Sequence, residues 1–302
     1  MFLLNFSKVP VIVIRTGFGL NFMTYFVAAF CSLKKDGQLT FRSFYTMTKC
    51  FIFITLFFCC SYLSAQDKSN RGKEFWLGYG YDYSFFNEPP VNSQELAIYI
   101  STAEQAATVT VSINNTGWTQ TLNIPANTAD ASILIPKSGA NDARIVTDGL
   151  NNRGIHIVSN VPVAAYAHVY ATQVSGATML MPVETYGYSY FSINYNQATS
   201  GSILPDISPT TQNGPDWYSW FYVIASEDNT TVEITPSDTT KNGWLPGHTY
   251  AVSLNKGETY SVFGKLIEGN NAAYAASKDM TGSKAISVIG GDGVCHPIGM
   301  FS

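Results

Sequence analysis

The stretch Glu95–Ile113 reads ELAIYISTAEQAATVTVSI, and Ser219–Ser237 reads SWFYVIASEDNTTVEITPS. Each gives an apolar run, a short polar turn, and a second run in which apolar residues alternate with Thr, Ser or Glu. A period of two is that of a strand with one buried face, and the β-branched and aromatic content favours the same state. The turns fall at Ala103-Glu104-Gln105 and Glu227-Asp228-Asn229. Asp and Asn suit such turns because they hydrogen-bond their own backbone and tolerate left-handed conformations. Two hairpins of one pattern, far apart in the chain, point to a repeated β unit.

Working outward, Gly72–Asp82 (GKEFWLGYGYD) parallels Tyr186–Asn196 (YGYSYFSINYN). Gly117–Ile124 parallels Gly247–Leu254, and Ala131–Ile135 parallels Glu258–Phe263. Arg153–Val158 with Pro162–Tyr166 parallels Gly282–Ile289 with Pro297–Phe301. Roughly seven short strands per unit, separated by turn residues, is the pattern of a β-sandwich. The expected fold is therefore all-β, with two tandem related antiparallel sandwiches at 66–171 and 187–302 and a connecting segment at 172–186. Ala198–Pro215, rich in Ser, Thr, Pro and Gly, reads as a long loop. The last strand stops at Phe301-Ser302 where the first unit's equivalent continues through Tyr170, so further domains are expected downstream.

Ahead of these units, Lys49 precedes an apolar run from Cys50 to Leu63 and a small-residue site at Ser64-Ala65, the layout of a signal peptide at 47–65. Residues 1–46 are either a hydrophobic segment that spans a membrane or an extension upstream of a true start at Met47. Export suits the cysteines: Cys31, Cys50, Cys59 and Cys60 lie at or before the signal, leaving Cys295. That thiol either has a partner elsewhere or is buried and unpaired. The expected location is secreted or at the cell surface, with membrane contact only through the N-terminal segment.

Charge narrows the partners. Lys8, Arg15, Lys34, Lys35, Arg42 and Lys49 face Asp36 alone before Gln66, so the remainder is more acidic than the net charge of −4 suggests. Such a chain repels phosphate backbones, which excludes nucleic acid. Charged residues make up 13% of the sequence, well under the roughly 25% usual in soluble domains. Tyr, Thr, Ser and Asn fill the gap.

No catalytic constellation emerges. The sequence lacks a Gly-x-Ser-x-Gly elbow, a phosphate loop and a His-Glu-x-x-His pair, and its histidines (His156, His168, His248, His296) are scattered. With Cys295 alone in the exported part, no zinc ligand set is read, and no cofactor is expected. Glu227 and Asp228 are adjacent on a tight turn and are expected to be solvated turn formers. Gly290-Gly291-Asp292-Gly293 reads as a hairpin loop. His168 shares a strand face with Tyr166 and Tyr170 and is expected to be a half-buried imidazole.

Aromatic clusters carry the functional expectation: Tyr79 to Phe86, Tyr186 to Tyr195, and Trp217 to Tyr222. Half of each should be core, and outward members could form a Tyr-rich recognition patch. The candidate binding residues are Tyr83, Phe85, Trp217 and Tyr218.

Several strings together resemble the N-terminal domain of IgG Fc-binding-protein-like sequences. They are Gly72–Trp76, Asn160–His168, Ser175–Pro182, Glu184–Gly187, Glu227–Pro236, Lys278–Ser283 and Cys295–Ile298. The resemblance implies a module of large bacterial secreted or surface proteins, without catalytic residues to transfer. The expected function is non-catalytic binding or adhesion, recognising an extracellular protein or glycan. The alternatives are a structural spacer within a larger surface protein and a carbohydrate-active sandwich.

Overall fold

The computed structural model describes residues 69–82, 94–170, 175–194, 218–265 and 278–302, all within the unit Asp67–Ser302. The signal segment and the stretch before it lie outside the described residues. Strands form where the period-two runs were read. The first set is β1 (Arg71–Leu77), β2 (Glu95–Ser101), β3 (Ala107–Ile113), β4 (Thr119–Ile124), β5 (Ala131–Ile135), β6 (Gly149–Asn151), β7 (Ile155–Tyr170) and β8 (Gly176–Met179). The second set is β9 (Ser189–Phe191), β10 (Trp220–Ala225), β11 (Thr230–Thr235), β12 (Tyr250–Leu254), β13 (Thr259–Phe263), β14 (Lys284–Val288) and β15 (Ile298–Phe301). The fold is all-β, and every pairing between named strands is antiparallel.

β7 organises the first half. Its N-terminal part, Ile155–Ser159, pairs with β3 on one side and β1 on the other. Its C-terminal part, Ala164–Tyr170, pairs with β2, and Tyr166–Val169 pairs with β8. The change of partners falls at Asn160-Val161-Pro162. Proline cannot donate to a ladder, so a strand carrying one is free to turn a corner between layers. These strands form one seven-stranded sheet of order β4-β3-β7-β2-β5, with β1 and β8 also paired to β7; β1 spans the change, its Arg71 and Gly72 lying opposite Ala164 and Val163 after a register shift. Phe75, Leu96, Ile98, Ile100, Val109, Val111, Ile155 and Ile157, all fully buried, belong to the core of this half. Burying each such side chain contributes roughly 1.5–3 kcal/mol.

The second half has sheets β12-β11-β14-β9 and β15-β10-β13-β6. The order β12-β11-β14-β9 resembles the pairing of β4, β3, β7 and β1, and β13-β10-β15 resembles that of β5, β2 and β7. The two quoted hairpins supply β2 and β3 in one set of strands and β10 and β11 in the other. The loop at Gly290–Gly293 sits where β7 runs straight on. Its closure by the Ile289–Cys295 bridge and a Gly290 N–H bond to the Val294 carbonyl (2.8 Å) makes it a hairpin excursion.

The halves are not separate beads. β6 belongs to the first segment, yet Leu150 pairs with Tyr260 of β13 in the second. Trp76, Ile145, Tyr222 and Ile224 form a shared apolar cluster, with Val183, Tyr186, Trp220 and Phe301 packed against it. The Tyr222 hydroxyl donates to the Gly78 carbonyl (2.7 Å) and accepts from the Gly78 N–H (2.8 Å). The Tyr186 hydroxyl donates to the Trp76 carbonyl (2.9 Å).

Candidate binding surfaces

Tyr218, expected on an outward face, is 5% exposed. Its ring lies 5.3 Å from that of Tyr81 and 5.1 Å from that of Phe263, with the Lys241 ammonium 4.3 Å from its centroid. The correction has a physical cause. A lone sandwich leaves alternate residues to solvent, but here the first half covers the second face of β10, so Phe221 to Ala225 are all buried. Tyr83, Phe85 and Trp217 lie outside the described residues.

The residues weighed for chemistry are turn and joint formers. Asn229 is left-handed (φ 57°), the Thr230 hydroxyl donates to the Glu227 carbonyl (2.8 Å), and Asp228 accepts from the Lys256 N–H (2.9 Å). Asp279 accepts from the Thr281 N–H (2.9 Å). Asp292 accepts from the Val294 N–H (3.0 Å) and bonds His296 Nε2 (2.8 Å). Among the described residues no cluster of His, Cys, Asp and Glu is placed to hold a metal ion. The Cys295 thiol is free and donates to the Ser287 carbonyl (3.2 Å).

What the geometry does assemble is an aromatic sheet face. On the outer side of β5-β2-β7-β8, Tyr99 stands opposite Tyr166, Ala97 opposite His168, and Glu95 opposite Tyr170. The His168 ring lies 5.7 Å from each of Tyr99 and Tyr170. Leu134 extends the row on one side and Met179 on the other, both largely exposed, and Tyr170 is 53% exposed. The nearest charges sit at the border, where Lys137 lies 3.5 Å from Glu95. The sequence offered Tyr166, His168 and Tyr170 on one face. Tyr99 was missed because only strand register brings it beside them.

A second feature lies behind the same strands. A half-open cavity of about 340 Å³ is lined by Leu77 to Asp82, by Ala167 and Val169, by Gly176 to Thr178 and Leu180, and by Trp220, Tyr222, Phe301 and Ser302. One wall is a column of near-parallel rings: Trp220–Tyr222 at 6.0 Å and Tyr222–Phe301 at 5.0 Å. Gly80 lies flat beneath the indole; a Cβ there would come within 1.9 Å of Trp220. Burial pushes the Tyr222 phenol well above its ordinary range, outweighing its bond to Gly78, so it stays a neutral donor.

Part of the chain is similar to a known family. Residues 176–302 match the family model of the IgGFc binding protein. The matched segment begins with β8 and takes in the whole second half. Within it, the strings named above act as joints: Tyr186 packs its ring on Gly299, Glu227–Asn229 turns β10 into β11, and Asp279–Thr281 anchors the start of β14. Asn160–His168 and Gly72–Trp76 lie outside the matched residues. No curated protein matches the chain. A crystal structure of a protein from Parabacteroides distasonis ATCC 8503 aligns over 78% of this chain and 81% of that one at 9% identity, with a TM-score of 0.15.

Proposed function

We propose that this chain is an exported, non-catalytic binding module that holds an extracellular protein partner on the face formed by Tyr99, Tyr166, His168 and Tyr170. The observation that carries the reading is this face: half-buried aromatic rings on paired strands, ending in the exposed Tyr170, with the Lys137–Glu95 pair at its border. Tyrosines suit recognition because they give large amphipathic contact area with little rotamer entropy to lose. A flat sheet face fits the broad surface of a protein better than a small solute, which needs a concavity. The family match supports a binding role, and it names the first probe.

The test measures association of the full chain with immunoglobulin G Fc by biolayer interferometry. Tyr166→Ala and Tyr170→Ala should each weaken binding by about 5- to 30-fold, the effect of losing about 1–2 kcal/mol at an aromatic anchor. Thr121→Ala, on exposed β4, should leave it unchanged. Unaltered affinity in both tyrosine variants, with Fc bound, would move the interface elsewhere. No association with Fc would favour the spacer reading.

A further inference from the structure

We infer that the free edge of β8 is a docking edge, on which an extended segment of the protein partner adds as a further strand. This rests on the binding-module reading for its partner and adds the way in which that partner is held. In an antiparallel pair, residues alternate between those whose N–H and C=O bond across the ladder and those whose groups point away. The Leu180 N–H donates to the Ala165 carbonyl (2.9 Å), so by register Thr178–Ala167 and Gly176–Val169 are the bonded pairs of β8 and β7. The peptide groups of Ala177 and Met179 therefore point away from β7, and no hydrogen bond reaches them among the described residues. All of β8 is exposed, and it carries neither a charged side chain nor a proline, two devices that keep an edge from pairing.

An added strand turns alternate side chains to opposite faces of the sheet, and both faces beside β8 have something to meet them. Ala177 and Met179 stand opposite His168 and Tyr166, so incoming residues beside them extend the aromatic row. Thr178 stands opposite Ala167, and the incoming residue beside it points to the side where Ala167, Val169, Trp220 and Phe301 line the half-open cavity. The occupant that fits is an uncharged extended segment with an apolar or aromatic residue at that middle position. Ala177 and Met179 each offer one N–H and one carbonyl, and hydrogen bonds exchanged with water stabilise little on their own. The edge thus needs side-chain contacts beside it, which a partner seated on Tyr99, Tyr166 and Tyr170 supplies. A second copy of this chain fits less well. Pairing β8 with β8 about a two-fold axis would continue the sheet and leave both aromatic rows uncovered.

Ala177→Pro tests the edge. It removes one outward N–H and sets the proline ring in the path of an added strand, while Gly176 and Thr178 keep their bonds to β7. Ala177→Val keeps the N–H and favours the strand, so it serves as the control. The full chain is assayed against immunoglobulin G Fc and panned against a displayed library of linear peptides. Binding of Fc, or of an enriched peptide, should fall about tenfold or more in Ala177→Pro and stay unchanged in Ala177→Val. In the unaltered chain, binding should slow amide exchange at Ala177 and Met179, a readout that does not depend on any variant folding. Fc binding that is lost in Tyr166→Ala but kept in Ala177→Pro leaves the aromatic face standing and overturns strand addition. Peptide binding that is lost in Ala177→Pro but kept in Tyr166→Ala and Tyr170→Ala retains the edge and removes the face. The inference is also overturned if neither Fc nor any peptide binds, or if binding leaves exchange at Ala177 and Met179 unchanged. A dimer in sedimentation velocity that Ala177→Pro dissolves would make the edge a self-interface and overturn it as well.

Discussion

Tyr222 shows how much one hydroxyl can hold together. It is 1% exposed, and its oxygen satisfies both the N–H and the carbonyl of Gly78 in the other half. Removing it takes this partner from the partly buried N–H and carbonyl of Gly78, each costing up to about 1–3 kcal/mol when left without one. Tyr222→Phe should therefore lower stability by ~2 kcal/mol or more, seen as a lower urea midpoint with an unchanged slope. An unchanged midpoint would mean that water reaches Gly78. Gly257 is the backbone counterpart: it has φ +78°, and a Cβ there would lie 2.7 Å from both Asn114 and the Trp76 ring. Gly257→Ala combines strain with a clash and should cost ~2–4 kcal/mol, read as a fall in Tm. Neither role was legible in the sequence. Tyr222 looked like one of an aromatic run, and Gly257 like an ordinary turn glycine, because their partners are distant in sequence. Asp228 and Asn229 were legible, since an Asx turn is a local device.

The strands were the most readable level because a buried face imposes its period on the residues themselves. β2, β3, β10 and β11 fall within the two quoted hairpins. β7 was read as two pieces, Arg153–Val158 and Pro162–Tyr166; it is one strand whose partner changes from β3 to β2 between them. β6 was not read at all. Three residues, of which only Leu150 is large and apolar, carry no usable period, and Leu150 itself stays 58% exposed. Its role comes from backbone pairing with Thr259–Ser261, which no side-chain pattern announces. Gly149 enters β6 at φ +90°, a conformation that suits glycine. Gly149→Ala should strain this entry, loosen the clasp between the halves, and speed amide exchange at Thr259–Ser261 relative to β11. Equal protection in both strands would show that β6 does not guard that edge.

Across the whole molecule, the joint between the halves couples stability to pH. Glu74 and His156 lie on β1 and β7, and Lys256 comes from the β12–β13 turn of the other half. His156 stacks on Trp76 at 4.0 Å, and its Nε2–H donates to Glu74 (2.8 Å), which also lies 3.4 Å from Lys256. Burial is the strongest influence on His156 and lowers its pKa below the ordinary 6.5, although Glu74 pulls the other way. Burial alone would raise Glu74, but the bond from His156 and the charge of Lys256 outweigh it and hold the carboxyl below 4.5. For a histidine depressed in the folded state, the unfolded chain takes up its proton first. Stability is thus complete above pH 6.5 and falls as pH drops from there toward the lowered folded value. The Glu74 contribution, present above 4.5, is lost at lower pH still, as pH falls through its own folded value. Urea unfolding should show one cooperative transition for both halves, with a midpoint that declines as pH drops below 6.5 toward the lowered His156 value. His156→Phe keeps the stack on Trp76 but cannot titrate, so its midpoint should flatten over that window while Glu74 retains Lys256. A decline of the same steepness in His156→Phe would assign the pH response to other groups, and two separate transitions would show that the shared cluster does not bind the halves into one folding unit.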